Sequence, residues 1–311
     1  MTTVSAQGLR GFAPTRRRSG FRRFAQRRST MAVVMCLPLI ALVLGLIVYP
    51  FFYSIYLSML NRSMTRFIGL FNYEYLLRSA TFHLVIFQSC FFAITAVFFK
   101  AVIGFILAHL MHNISGKNQR VWRGLLLVPW VIPPALSTLG WWWMVSGSYS
   151  AINWLLELVG LPAVAWLANT WWARIWVVAV NVWYGTPFFM IMYLATLKSV
   201  PEQLYEAAAI DGATGLQKIR YVSLPMLRNI ISITVLFSLI VTFANFDIVE
   251  ILTSGGPADT THVFATYAFQ LGIAGGNIPV GAAVSLFIFP ILAVFSIFIL
   301  RGVGKRAREG I

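Results

Sequence analysis

Six apolar runs, Met31 to Tyr53, Leu84 to Met111, Leu125 to Val145, Trp176 to Leu197, Ile230 to Leu252 and Pro279 to Leu300, constrain this chain more than any other feature. Each is near the ~20 residues that carry a helix across hydrocarbon. None alternates polar and apolar residues as transmembrane strands do, which disfavours a barrel. The expected fold is all-α: a polytopic membrane protein with six transmembrane helices. Only 11% of its 311 residues are charged, against about a quarter in a soluble globular protein.

Orientation follows from the basic residues. The N-terminal tail (Arg10, Arg16, Arg17, Arg18, Arg22, Arg23, Arg27, Arg28), the loop after span 2 (Lys117, Arg120, Arg123), the loop after span 4 (Lys198, Lys218, Arg220, Arg228) and the C-terminal tail (Arg301, Lys305, Arg306, Arg308) hold 19 of the 24 lysines and arginines. The intervening loops hold Arg62, Arg66 and Arg78 and then almost none. Both termini are therefore expected in the cytoplasm. Residues 1–30 and 301–311 read as basic tails around a membrane domain spanning 31–300. The net charge of +15 could attract nucleic acid or anionic lipid, but beside a first span topology explains it, so membrane lipid and no nucleic acid is expected. The run from Met31 is longer than a signal core and lacks a small-residue cleavage site, so it reads as a retained anchor. Cys36 and Cys90 fall inside predicted spans and read as small core hydrophobes.

No enzymatic constellation stands out. Gly116-Lys117 is followed by Asn118, and Met111 stands where a phosphate loop needs its first glycine, so no ATP hydrolysis by this chain is expected. His83, His109, His112 and His262 show no metal-ligand spacing; His109 and His112 lie at a span end, where an interfacial or solvated role is expected. No cofactor or metal is expected in this chain.

The spans differ in polarity. Span 3 carries Pro129, Pro133 and Pro134 and ends in Trp141, Trp142 and Trp143, a mark of the membrane interface. Span 4 holds Asn181, Tyr184, Gly185 and Pro187, the last two expected to break it; span 5 holds Asn245, Asp247 and Glu250. Such residues belong in a bundle interior or a cavity. Asn181 and Asn245 are read as pathway residues; interhelical hydrogen bonding is the alternative.

Between spans 4 and 5 lies a polar island, residues 198–229. Pro201 and Glu202 suit a helix start, Leu204, Ala207, Ala208 and Ile210 form an apolar stripe, and Gly212 permits a left-handed stop. Thr214 followed by Gln217 reads as a capping box opening a second helix with Leu216, Ile219 and Val222. The island is thus a helix-turn-helix, with Glu206 and Asp211 beside three consecutive alanines. Pattern alone leaves two uses open: docking into a groove of a soluble protein, or lying flat on the membrane.

Glu206-Ala207-Ala208, Asp211-Gly212-Ala213 and Val222-Ser223-Leu224-Pro225 resemble the coupling loop of the membrane subunits of bacterial ABC importers. Gly69-Leu70-Phe71-Asn72-Tyr73, Val180 to Pro187 and Leu252-Thr253-Ser254-Gly255-Gly256-Pro257 extend the likeness to the maltose permease type of the carbohydrate uptake family. The resemblance implies a permease that pairs with a second, homologous permease and an ATPase dimer, the latter carrying ATP and magnesium, and that is fed by an extracytoplasmic substrate-binding protein at the bacterial inner membrane. It implies ATPase coupling by Glu206, Ala207, Ala208, Asp211, Gly212, Leu224 and Pro225. It implies sugar contacts at Asn181, Gly185 and Phe188 on span 4 and at Ser238, Val241, Thr242 and Asn245 on span 5. Val241 and Thr242 replace an aromatic and an amide of the maltose subunit, and Asp247 and Glu250 replace an apolar residue and a glutamine. The aromatic platform is thereby thinned, and maltose itself is not carried over. An ion-coupled secondary transporter with Asp247 or Glu250 as relay is the alternative, but it predicts inverted repeats that the two halves do not show.

Overall fold

The computed structural model describes residues 28–308 except 115, 148 and 149, with side chains from 35 to 301. The tail arginines up to Arg27 lie outside the described residues. The chain divides into two compact units, residues 1–53 and 54–311. The described part of the first is helical, Arg28–Val43 followed by a π turn at Leu44–Val48, and Cys36 is exposed rather than a core residue. The first candidate span, α1, is Met35–Ser58.

The second unit continues with α2 (Phe71–Arg78), α3 (Ala80–His112), α4 (Gly116–Val131), α5 (Pro134–Val145), α6 (Ala151–Leu158) and α7 (Thr170–Leu197). Then come α8 (Glu202–Ile210), α9 (Gly215–Phe243), α10 (Asp247–Thr253), α11 (Phe264–Ala274) and α12 (Ile278–Arg301). Among the described residues the one β element is a bridge between Leu60 and Phe67. Five helices are long and apolar enough to span a membrane, and α4 with α5 form a sixth, bent candidate. The all-helical expectation therefore holds.

α3 and α7 form the centre of this unit. Lipid offers no hydrophobic drive between helices, so close fit has to hold them. Phe92, Ala93, Ala96, Val97, Lys100 and Gly104 recur at helical spacing on the buried stripe of α3. A Cβ on Gly104 would lie 2.5 Å from the Cβ of Phe189 on α7, so glycine lets the backbones approach. One buried cluster gathers Phe82, Phe189, Tyr193, Leu227 and Phe264; a second gathers Phe92, Trp166, Val177 and Ile248.

Three boundaries differ from expectation. Predicted span 3 is two helices at 90°, because Pro133-Pro134 cannot continue the ladder and Pro134 instead opens α5. Predicted span 4 is unbroken: Pro187 is buried inside α7, where the Thr186 hydroxyl donates to the Val182 carbonyl at 2.6 Å. Predicted span 5 stops at Phe243, so Asn245, Asp247 and Glu250 lie beyond it. At its other end it is longer than expected. A π turn at Ile219–Ser223 absorbs Pro225, whose missing N–H and bulky ring would disturb an ordinary turn, and the second helix of the island runs straight into the span. Trp141, read as interfacial, packs edge-on to Trp183 at 5.5 Å and beside Trp176, while Trp143 is exposed.

Candidate functional site

The island is built almost as its sequence dictates. Pro201 precedes α8, and Glu202 lies in its first turn. At the other end Ala213 N–H donates to the Ala208 carbonyl at 2.8 Å and Gly212 N–H to the Ala209 carbonyl at 3.0 Å, with Gly212 at φ +75°. This double closure needs a left-handed residue, which glycine supplies without Cβ strain. The Thr214 hydroxyl oxygen accepts from Gln217 N–H while the Gln217 side-chain oxygen accepts from Thr214 N–H at 2.6 Å, completing the capping box.

The stripe on α8 does not close onto the chain. No α8 residue is buried; Ile210 is 87% exposed, and Leu216 and Tyr221 also stand out. Glu206, Ala207, Asp211, Gly212, Leu224 and Pro225 are exposed and Ala208 is half-buried. The island's base is anchored: Tyr205 and Ser223 share a hydroxyl contact of 3.0 Å, and Gln119 binds the Met111 carbonyl and accepts from Lys198. Behind α8 lies a cavity of about 600 Å³ lined by His109, His112, Lys198, Glu202 and Lys218.

The second set of residues meets inside the membrane domain. Asn181, Gly185 and Phe188 fall at helical spacing on one face of α7, as do Ser238, Val241, Thr242 and Asn245 along and just past α9. Asn181, Ser238 and Thr242 are buried, Gly185, Phe188 and Asn245 half-buried, and Val241 exposed. Between the two helices stands Lys100 of α3, only 4% exposed. Its Nζ donates to Asn181 Oδ1 and to Thr242 Oγ1, both at 2.9 Å. A Cβ on Gly185 would come within 2.5 Å of Lys100 Cδ, so that glycine leaves room for the lysine stem. Asn245 does something else: its Oδ1 accepts from Ile248 N–H at 3.2 Å and tethers the start of α10.

Lys100 sits about 6 Å along the axis from the middle of α3. A lysine there costs about 3 kcal/mol on an insertion scale. Hydrogen bonds to a charged donor return about 1.5–3 kcal/mol each, so the two observed bonds recover part of that cost. Sequence reasoning passed over Lys100, although a lone basic residue deep in an apolar run of 28 residues was the available signal. Phe188 lies 5.2 Å from Phe237 on α9 and 5.9 Å from Trp130 on α4, ring centre to ring centre, so aromatic rings from three helices gather beside the α7 set.

These features agree with what the chain is similar to. The family described as binding-protein-dependent transport system inner membrane component matches residues 100–308. A trehalose/maltose transport system permease protein of Thermococcus litoralis is 32% identical over 288 residues, covering 91% of this chain and 96% of that protein. A probable ABC transporter permease protein of Sinorhizobium fredii is 34% identical over 306 residues, covering 96% of each. Among solved structures, a bacterial alginate ABC transporter in complex with its alginate pentasaccharide-bound periplasmic protein has a chain that superposes with a TM-score of 0.77 at 25% identity, covering 88% of this chain and 93% of that one. None of these relatives supports ion-coupled secondary transport. The chain belongs to the inner membrane component family of binding-protein-dependent transport systems and is a permease of an ABC importer.

Proposed function

We propose that this chain, together with a second homologous permease, forms the translocation pathway for a saccharide at the bacterial inner membrane, with both termini in the cytoplasm. It catalyses nothing itself. ATP and magnesium are held by a dimer of partner ATPase subunits, and a substrate-binding protein delivers the cargo from outside. Two relatives named for saccharides, trehalose/maltose and alginate, support the cargo class.

The observation that carries this reading is α8, a helix with a fully formed C-terminal cap and no residue buried against its own chain. A cleft on an ATPase subunit would cover Ile210, Leu216 and the small Ala207 and Ala208 face, while Glu206 and Asp211 flank it with negative charge. Gly212 sets the turn, and Leu224 and Pro225 follow the π turn within α9, where the loop's second helix continues into the span. ATP binds more tightly to the closed ATPase dimer, so nucleotide shifts the importer toward the state in which the α8 helices approach and the cavity opens outward. Asn181, Gly185, Phe188, Ser238, Val241, Thr242 and Asn245 are assigned to that pathway. The test is Glu206→Lys in the reconstituted importer: co-purification of the ATPase and ATP-driven uptake fall at least about tenfold, the scale of a lost charge-assisted contact, while membrane insertion is unchanged. Normal association and uptake would refute the docking assignment.

A further inference from the structure

Lys100 meets nothing anionic. Its two partners are uncharged oxygens, and among the described residues no ion pair joins it to a carboxylate within 4 Å. A structural tie between α3, α7 and α9 requires hydrogen bonds only, which a neutral amide supplies without desolvating a charge. The chain instead keeps lysine, and Gly185 clears space for its stem. Asn181 and Thr242 use two of the three ammonium N–H donors, leaving one. Lys100 is thus a basic residue set directly among the candidate pathway residues, bonded to one on α7 and one on α9.

We propose that Lys100 makes the pathway selective for saccharides that carry a carboxylate. As α7 and α9 part, the remaining N–H and the charge meet the carboxylate of a uronic acid residue, while Asn181 and Thr242 turn to its hydroxyls and the Trp130, Phe188 and Phe237 rings cover its apolar face. One monocation flanked by an amide and a hydroxyl matches a singly charged carboxylate; a phosphate dianion would find one charge for its two. This inference rests on the reading of α7 and α9 as the saccharide pathway.

The test uses the complete importer in proteoliposomes, with both permeases, ATPase subunits and saturating binding protein. The probes are short oligogalacturonides and the same oligosaccharides after carboxyl reduction. Because wild type and variants share one binding protein, the acid-to-neutral uptake ratio compared between them isolates the permease. Wild type is expected to favour the acid form, Lys100→Gln to lower the ratio by about tenfold, and Lys100→Arg to keep most of it. An unchanged ratio in an assembled Lys100→Gln importer overturns the inference. So does a wild type that takes up the neutral form equally or better, an outcome that leaves the saccharide pathway standing and decides the matter even where a variant fails to assemble. Uptake of neither form by wild type overturns both readings.

Discussion

Ile210 and Lys100 each reverse the usual placement of their residue type. The isoleucine is 87% exposed in a polar loop, whereas the lysine is 4% exposed within an apolar helix. The two are satisfied differently. Lys100 finds its partners inside the chain, on helices 81 and 142 residues further along, while Ile210 stays exposed and α8 is tied to the chain at its base, through Tyr205 to Ser223. One region is satisfied within this polypeptide, and the other, on the proposed reading, is covered by an ATPase subunit. Damage to the first should therefore appear in stability and transport together, and damage to the second in transport alone.

The largest effect is expected from Gly185→Leu. Its Cβ would fall 2.5 Å from Lys100 Cδ, and the rest of the side chain has to displace the lysine from Asn181 and Thr242. Overpacking of this kind costs about 1–3 kcal/mol, with the broken hydrogen bonds in addition. Both melting temperature and uptake should fall, and a variant that melts like wild type would mean that the cluster does not depend on close fit.

A smaller effect separates burial from function at a third place. His262 is 2% exposed, its Nδ1 lies 3.0 Å from Thr266 Oγ1, and its Nε2 lies 3.6 Å from Asp259. Burial pushes this imidazole below its ordinary pKa, and Asp259 opposes that only in part. The folded chain therefore resists the proton that the unfolded chain accepts. Stability is at its full value above the ordinary imidazole pKa of about 6.5 and declines as pH falls below it. The melting temperature should drop on the acid side, and His262→Gln should flatten that slope. An equal slope in the variant would assign the acid sensitivity elsewhere.

What could be read in the sequence was local. The helix stop at Gly212 and the capping box at Thr214 use neighbours within five residues, so their types and spacing announce them. The six apolar runs are equally local and correspond to five straight spans and one bent pair. Lys100 escaped because its partners are remote in sequence, and one charge hardly alters the character of a long apolar run. Asn181 and Thr242 were singled out, but as cargo contacts and not as the lysine's partners. Asn245 was assigned to the interior of a span, whereas α9 ends two residues before it and its side chain reaches the backbone of α10. Pro187 and Pro133 show why helix breaks were hard to place. Both are prolines in apolar surroundings, yet packing carries α7 through one, and the following proline, taking the first position of a new helix, stops α4 at the other.

The central claim is that α8 receives force from a partner while the Lys100 cluster serves the cargo. Ile210→Asp, measured for melting temperature and ATP-driven uptake in the same reconstituted importer, tests it most directly. Stability should change by no more than about 0.5 kcal/mol, as for an ordinary surface substitution. Uptake and co-purification of the ATPase should fall at least about tenfold, the cost of setting a carboxylate into an apolar cleft. Wild-type uptake by this variant, or a loss of uptake matched by a loss of stability, would contradict the claim.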